Sequence, residues 1–152
     1  MKTRVYIDTS VFGGYFDDEF TEHSTQLIEQ FKTGRKVLIL SDLTLQELEN
    51  APKQVRDLHQ SIPTEFIEFV TLEEQAKFLA LKYIEEEAIP QKFLVDAQHI
   101  AIATINRVDV LVSWNFRHIV NLRRIQLYNA TNLKYGYALL EIRSPREIID
   151  ES

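Results

Sequence analysis

The sequence has no cysteine. A disulfide scaffold, a thiolate zinc site and a cysteine nucleophile are therefore excluded, and the absence fits a reducing compartment. Glycine and proline are scarce, at four each in 152 residues. No linker rich in Gly, Pro or Ser, no internal repeat and no low-complexity segment interrupts the chain. Long hydrophobic runs are missing too. Val37 to Leu40 is strand-sized, far below the ~20 apolar residues of a membrane span. The N-terminal MKTRVYIDTSVFGGY has no apolar segment of signal-peptide length and no small-residue cleavage site. A cytoplasmic protein with no membrane partner is expected. An excess of positive charge is also lacking: 17 Lys and Arg face 23 Asp and Glu, for a net charge of −6. Bulk electrostatic binders of nucleic acid are usually basic. Contact with a polyanion must therefore use a local basic patch or bound cations.

The composition that remains is that of an ordinary globular domain, 45% hydrophobic and 26% charged, which excludes intrinsic disorder. The length predicts a single domain spanning residues 1–152, large enough to fold without staples.

Short apolar runs alternate with helical patterns. Strands are expected at Val5–Ile7, Val37–Leu40, Phe66–Val70, Val110–Ser113 and Leu140–Ile142. Between them, Ser10 can cap a short helical turn. Thr21–Lys32 carries Leu27, Ile28 and Phe31 at helical spacing, with Gly34 just past its end. Ser41 or Asp42 caps a helix through Leu48, and a short helix is expected over Lys53–Gln60. Thr71-Leu72-Glu73-Glu74 reads as a capping box for a helix to about Glu87. Further helices are expected from Val95 or Asp96 to Asn106, over Asn121–Leu133, and from the Ser144-Pro145-Arg146-Glu147 cap. Unalternating strands separated by helices predict an α/β fold: a doubly wound parallel β-sheet of about five strands, covered by helices on both faces. Ligands in such sheets bind outside the carboxyl ends of the strands.

Polar residues are placed to meet there. Asp8 directly follows the first strand, Glu47 lies on the helix after the second, Asp96 opens a later helix, and Asn115 follows the fourth strand. Clustered carboxylates repel, and a divalent cation removes the conflict. Oxygen ligands without sulfur select a hard ion, Mg²⁺ or Mn²⁺. Such an ion polarises a phosphodiester and lowers the pKa of a bound water, which points to metal-assisted hydrolysis of a phosphate ester. Taken singly, each acid has a bland alternative. Asp8 and Asp96 can be caps or turn formers, and Glu47 can belong to a solvated face shared with Glu49. Only the joint pattern lifts the functional reading.

Four segments carry a resemblance. Arg4-Val5-Tyr6-Ile7-Asp8-Thr9-Ser10-Val11 comes first, then Leu43-Thr44-Leu45-Gln46-Glu47-Leu48. Val95-Asp96-Ala97-Gln98-His99-Ile100-Ala101 and Asp109-Val110-Leu111-Val112-Ser113-Trp114-Asn115 follow. Together, and with the closing Leu139-Leu140-Glu141-Ile142-Arg143-Ser144-Pro145, they resemble a PIN domain, most closely VapC-like toxins of type II toxin–antitoxin systems. The resemblance covers essentially the whole chain. It implies strand order 3-2-1-4-5 and a Mg²⁺- or Mn²⁺-dependent ribonuclease acting on RNA, with an antitoxin partner and a homodimer. The family's acids map onto Asp8, Glu47 and Asp96, and its polar residue before the last acid onto Ser113. The fourth acidic position is Asn115 here, which can offer a carbonyl oxygen but no charge. Asp17 or Asp18 could substitute only if their loop folds back.

His99 shares a helix face with Asp96; a core histidine is the preferred reading over a metal ligand. His23, His59 and His118 form no metal-spaced motif. Arg117, Arg123, Arg124 and Lys134 are interleaved with Trp114, Phe116, Tyr128, Tyr135 and Tyr137. They either bind phosphate and stack bases or form a solvated face over core aromatics. Ser10 and the three arginines are the candidate substrate contacts. The competing function is a receiver-like acidic-pocket module that binds Mg²⁺ or a partner's arginine without turnover. Glu47 discriminates, because a phosphoacceptor site needs no distant helix carboxylate.

Overall fold

Apolar runs without alternation become strands that are covered on both sides. In β1 (Thr3–Ile7), Val5, Tyr6 and Ile7 are all fully buried. The same holds for Leu38, Ile39 and Leu40 of β2 (Lys36–Ser41). The sheet is completed by β3 (Ile67–Val70), β4 (Val110–Val112) and β5 (Ile142–Arg143), all pairing in parallel in the order β3-β2-β1-β4-β5. This computed structural model describes residues 1–149; the final three positions of the expected 1–152 domain lie outside them.

Side chains alternate across the sheet and sort the core into two layers. Val5, Ile7, Leu38, Leu40, Val110 and Val112 face one layer, with α1 (Thr9–Gly14), α2 (Thr21–Lys32) and α4 (Lys53–Asp57). Tyr6, Ile39 and Leu111 face the other, with α5 (Glu74–Glu85), α6 (Leu94–Ile105) and α7 (Leu122–Lys134). The short α3 (Asp42–Leu48) leaves the end of β2 and contributes Leu43 to one layer and Leu48 to the other. The expected doubly wound architecture is what the chain adopts. Among the described residues no helix is long and apolar enough to cross a membrane.

Local expectations fail where a tertiary partner outbids the local one. The capping box at Thr71–Glu74 does not form. The backbone N–H of Leu72 donates to Asp42 Oδ1 at 2.9 Å, Thr71 Oγ1 turns to Glu73 at 3.3 Å, and α5 starts at Glu74 without a side-chain cap. The strand expected at Leu140–Ile142 is displaced to Ile142–Arg143. Leu140 has its N–H and C=O held instead by the Asn129 side chain at 2.8 and 3.1 Å. The segment Lys53–Gln60 splits into α4 and a 3₁₀ turn over Leu58–Ser61. The Ser144 capping box forms, with Pro145 at the first position, but it opens only a 3₁₀ turn, Pro145–Glu147. Ile148 leaves helical geometry and packs with Ile149 against the core.

Gly34 ends α2 at φ +77°, with the Phe66 ring 2.6 Å from where a β-carbon would sit. Gly136 has φ +83° in open space. Gly34→Ala should lose about 1–3 kcal/mol through backbone strain alone, and more because Phe66 must move. Urea midpoints should therefore fall further for Gly34→Ala than for Gly136→Ala. Equal losses would show that the Phe66 contact costs nothing.

Candidate active site at the carboxyl edge of the sheet

The strand register brings the first two site residues together. Ile7 pairs with Val112, so the next residues, Asp8 and Ser113, leave adjacent parallel strands side by side. Ser113 Oγ donates to Asp8 Oδ2 at 2.7 Å. In the order β3-β2-β1-β4-β5 the winding reverses between β1 and β4, and that switch point is where open α/β sheets form a crevice.

Asp8 is also the N-cap of α1, a role the sequence suggested for Ser10. Its Oδ1 accepts from the Ser10 N–H at 3.2 Å and the Ser10 hydroxyl at 2.6 Å. Ser10 instead links strands: its Oγ accepts from the Trp114 N–H at 2.9 Å and lies 3.3 Å from Ser113 Oγ. Both Asp8 oxygens thus accept hydrogen bonds, yet the residue is only 5% exposed. Burial pushes its pKa above the ordinary carboxylate range. The Glu47 charge adds to that rise, while His99 and the hydroxyls of Ser10 and Ser113 oppose it.

Glu47 reaches the site from the last turn of α3. Its Oε1 accepts from Thr9 Oγ1 at 2.9 Å and from His99 Nε2 at 2.5 Å. Burial works against its charge, but the His99 contact and the Thr9 hydroxyl outweigh it, and its pKa is lowered.

Asp96 is the third residue of α6; the cap position belongs to Phe93, so the cap reading of Asp96 fails. Burial raises its pKa. The charges of Asp8 and Glu47 add to the rise, and His99 and the Asn115 amide oppose it. Asn115 Nδ2 points to Asp96 Oδ2 at 3.4 Å. The Asn115 Oδ1 is spent on the backbone N–H groups of Arg117 and His118, at 3.2 and 3.0 Å. That pair of donors fixes the amide orientation: the N–H, not the carbonyl, faces the carboxylate.

Two buried histidines stand behind the acids. His99 backs Glu47, and His118 Nδ1 lies 3.6 Å from Asp96 Oδ2. His118 stacks on Phe93 at 3.7 Å, and burial with the Arg124, Arg117 and Lys92 charges lowers its pKa. The core reading of His99 describes its burial but misses its carboxylate, because the partner is 52 residues away. For His99 the available signal was a polar residue on the apolar face of α6; His118 carried none.

The basic and aromatic cluster of the C-terminal part divides. Arg117, Arg123 and Arg124 line a groove of ≈ 630 Å³ with Glu87, Gln91 and Asn121. Arg124 is tied to the Arg117 and Ala88 carbonyls at 3.1 and 2.8 Å, whereas Arg117 and Arg123 are exposed. Lys134 pairs with Glu86, and Trp114 and Tyr128 are buried in the core. Asp17 and Asp18 remain exposed, Asp17 accepting from the Glu19 N–H at 2.8 Å.

A PIN domain model matches residues 5–119. The chain belongs to the PIN domain family. No curated protein matches the sequence. Among solved structures, Mycobacterium tuberculosis VapC20, described as a sarcin–ricin-loop-cleaving toxin, is similar at 12% identity. Its TM-score is 0.56, with 90% of this chain and 98% of that chain covered. VapBC2 from Rickettsia felis, bound to a promoter DNA fragment, is 14% identical with a TM-score of 0.52, covering 93% of this chain and 98% of that one. A FitAB complex on the IR36 DNA fragment is 13% identical with a TM-score of 0.57, covering 97% and 99%. At these identities the likeness is one of fold.

Among the described residues of this PIN domain, no group of three or more His, Asp or Glu side chains stands ready to hold a metal ion. The donor chemistry nevertheless fits a hard divalent cation. The acids supply oxygen only, and burial with mutual repulsion raises two of the three pKa values. Glu47 Oε1 is fully engaged by Thr9 and His99.

The sign of the pKa shifts sets a stability test. A raised folded pKa means that Asp8 and Asp96 favour the fold only when protonated. That contribution is complete below the unfolded value near ~4 and is lost as pH rises through the raised folded values. Glu47 runs the other way, stabilising above its unfolded pKa and losing that as pH falls. Asp8→Asn keeps the cap oxygen and removes the buried charge. In chelator at pH 7 it should melt ~3 °C or more above the unsubstituted chain, and the gain should shrink toward pH 4. A lowered melting temperature at pH 7 would mean that Asp8 serves the fold through its charge.

Proposed function

We propose that this PIN domain is a Mg²⁺- or Mn²⁺-dependent RNA endonuclease and the toxin member of a toxin–antitoxin pair in the cytoplasm. What supports the reading is the arrangement at the β1–β4 switch point: Asp8 accepts from Ser113, Glu47 accepts from Thr9 next to Asp8, and Asp96 lies against the amide of Asn115, two residues past Ser113. A receiver-like pocket has no use for a carboxylate brought in on α3, and here Glu47 is anchored toward the other two by Thr9 and His99.

Asp8, Glu47 and Asp96 are the residues that would hold the ion. When bound, a divalent cation neutralises the carboxylates and polarises the phosphodiester for hydrolysis by water. The chain's own groups do the rest. Ser10 and Ser113 fix the Asp8 carboxylate in rotation through its Oδ1 and Oδ2, and through that contact Ser113 would help to position a water or phosphate. Asn115 serves through its amide N–H, steadying Asp96, and not through its carbonyl. Arg117 and Arg123 hold flanking phosphates of the RNA, which carry position and not sequence. Arg124 shapes that groove by bonding its two walls. The products are a 5′-phosphate and a 3′-hydroxyl, in keeping with the family resemblance. The cleaving activity named for VapC20, and the complexes named for VapBC2 and FitAB, support an RNA substrate and an antitoxin protein as partners. A homodimer is proposed on the same resemblance.

Fluorogenic RNA should be cut with Mn²⁺ and not with EDTA. On this reading Mn²⁺ should also raise the melting temperature, because only the folded chain would bring the three acids to one ion, and the rise should shrink in Asp96→Asn. No cleavage by freshly purified, antitoxin-free protein at millimolar Mn²⁺ would refute the reading.

Asn115→Asp tests the fourth position. It sets a carboxylate oxygen against Asp96 Oδ2 where an N–H now stands at 3.4 Å. Without metal the variant should melt lower; with Mn²⁺ the order should reverse, and titration calorimetry should find tighter binding. Weaker Mn²⁺ binding together with lost cleavage would show that the amide donor is indispensable.

A further inference from the structure

The layer beneath the three acids holds a line of polar groups that an ordinary core does without. His99 is 1% exposed, and Tyr6, Ser41 and Thr44 are fully buried. From the site inward, Glu47 Oε1 meets His99 Nε2 at 2.5 Å, and His99 Nδ1 meets the Tyr6 hydroxyl at 2.6 Å. The Tyr6 hydroxyl meets Ser41 Oγ at 2.8 Å, and Ser41 Oγ meets Thr44 Oγ1 at 3.1 Å. Ser41 caps α3 by accepting from the Thr44 N–H at 3.1 Å. The line therefore begins and ends on α3, the helix that carries Glu47, after passing through α6 and β1.

Those elements are the ones that bear the acids: Asp8 follows β1, Glu47 lies on α3 and Asp96 on α6. Both ring nitrogens of His99 are occupied, so His99 has no lone pair for a metal. The Tyr6 hydroxyl lies within hydrogen-bond distance of both Ser41 Oγ and His99 Nδ1 and bridges them. Each contact is satisfied when the tyrosine hydroxyl faces His99 Nδ1 and His99 Nε2 faces the Glu47 carboxylate. Linked hydrogen bonds of this kind polarise one another in a dry interior. With Thr9, His99 saturates Oε1 and leaves Oε2, on a side chain 36% exposed, as the free oxygen of Glu47.

We propose that His99, held by Tyr6, is a positioning residue that aims the Oε2 oxygen of Glu47 at the divalent cation and fixes α3 against β1 and α6. The proposal rests on the metal-dependent ribonuclease reading. Outer groups that orient a ligand are typically worth 10–100-fold in metal affinity or activity.

The experiment is Mn²⁺ titration calorimetry on the full chain, with cleavage kinetics alongside, for His99→Ala, His99→Gln and Tyr6→Phe. His99→Ala should weaken Mn²⁺ binding ~10-fold or more and lower kcat with KM for RNA unchanged. His99→Gln can still donate an N–H toward Glu47 and should recover part of the affinity. Tyr6→Phe keeps the ring and the metal ligands, and should show a smaller loss of the same kind. In a Glu47→Gln background, His99→Ala should cost little further, because its effect acts through Glu47. Urea midpoints accompany each variant; if His99→Ala does not fold, His99→Gln and Tyr6→Phe decide. Folded variants that bind Mn²⁺ like the unsubstituted chain, or a Gln variant no better than Ala, overturn the proposal while leaving the ribonuclease reading intact. An unsubstituted chain that neither binds Mn²⁺ nor cuts RNA overturns that reading and this proposal with it.

Discussion

A carboxylate at the end of a strand buried on both faces has almost no water to charge into, and the site is organised around that constraint. Asp8 occupies such a place because Val5, Tyr6 and Ile7 leave no exposed face before it. Three compensations are built in. The strand register gives it Ser113, the turn into α1 gives it the N–H and hydroxyl of Ser10, and α6 brings His99 near. They reduce the cost of the charge without cancelling it, since the pKa still stands above the ordinary range. A buried charge left short of compensation is a demand for a cation or a proton.

The other two acids are treated differently, and the difference has a physical source. Glu47 sits on a helix end at the rim, where burial is partial and His99 and Thr9 donate to one oxygen; its pKa falls. Asp96 is also partly buried, but its donor is the 3.4 Å contact from Asn115, while Asp8 and Glu47 press on it; its pKa rises. The site thus holds one carboxylate that is ionised with ease and two that resist. That graded set follows from the depth of burial set against donors and neighbouring charges, not from the residue types: Asp8 has three donors, and its burial still outweighs them.

Much of this was legible in the sequence, for reasons that particular residues explain. Asp8 is visible because a polar residue directly ends an apolar run, and Thr21–Lys32 because its apolar spacing and the Gly34 just past its end agree with the helix observed. The parallel sheet follows from strands that lack alternation. What was not legible depends on distant partners. Leu72 gives its N–H to Asp42, and Asn129 takes over the backbone of Leu140; no local pattern encodes either. Asp8 rather than Ser10 caps α1, since the helix already begins at Thr9 and Ser10 lies within it. His99 looked like core because it is core. Its polar atoms find Glu47 and Tyr6 only once β1, α3 and α6 have packed. His118 was invisible for the same reason, its neighbour Asp96 lying on another element.

The net charge of −6 looks unsuited to a polyanion, and the resolution lies in how the charge is spread. Arg117 and Arg123 stand exposed along a groove that starts two residues from Asn115, with Arg124 bonding the Arg117 and Ala88 carbonyls beneath them. Asp96 meets the Asn115 amide, and all three acids are partly or wholly withdrawn from solvent. Interactions between exposed charges fade over a Debye length of about 8 Å at physiological ionic strength, so a phosphate in the groove is governed by the arginines beside it more than by distant surface acids. Nearer the carboxylates the balance reverses, and a phosphate is repelled until a cation stands between them. The same chain therefore carries exposed positive charge along the groove and partly or wholly buried carboxylates at the edge of the sheet. On the proposed ribonuclease reading, an acidic protein with these two regions would make its contact with a nucleic acid conditional on a divalent ion.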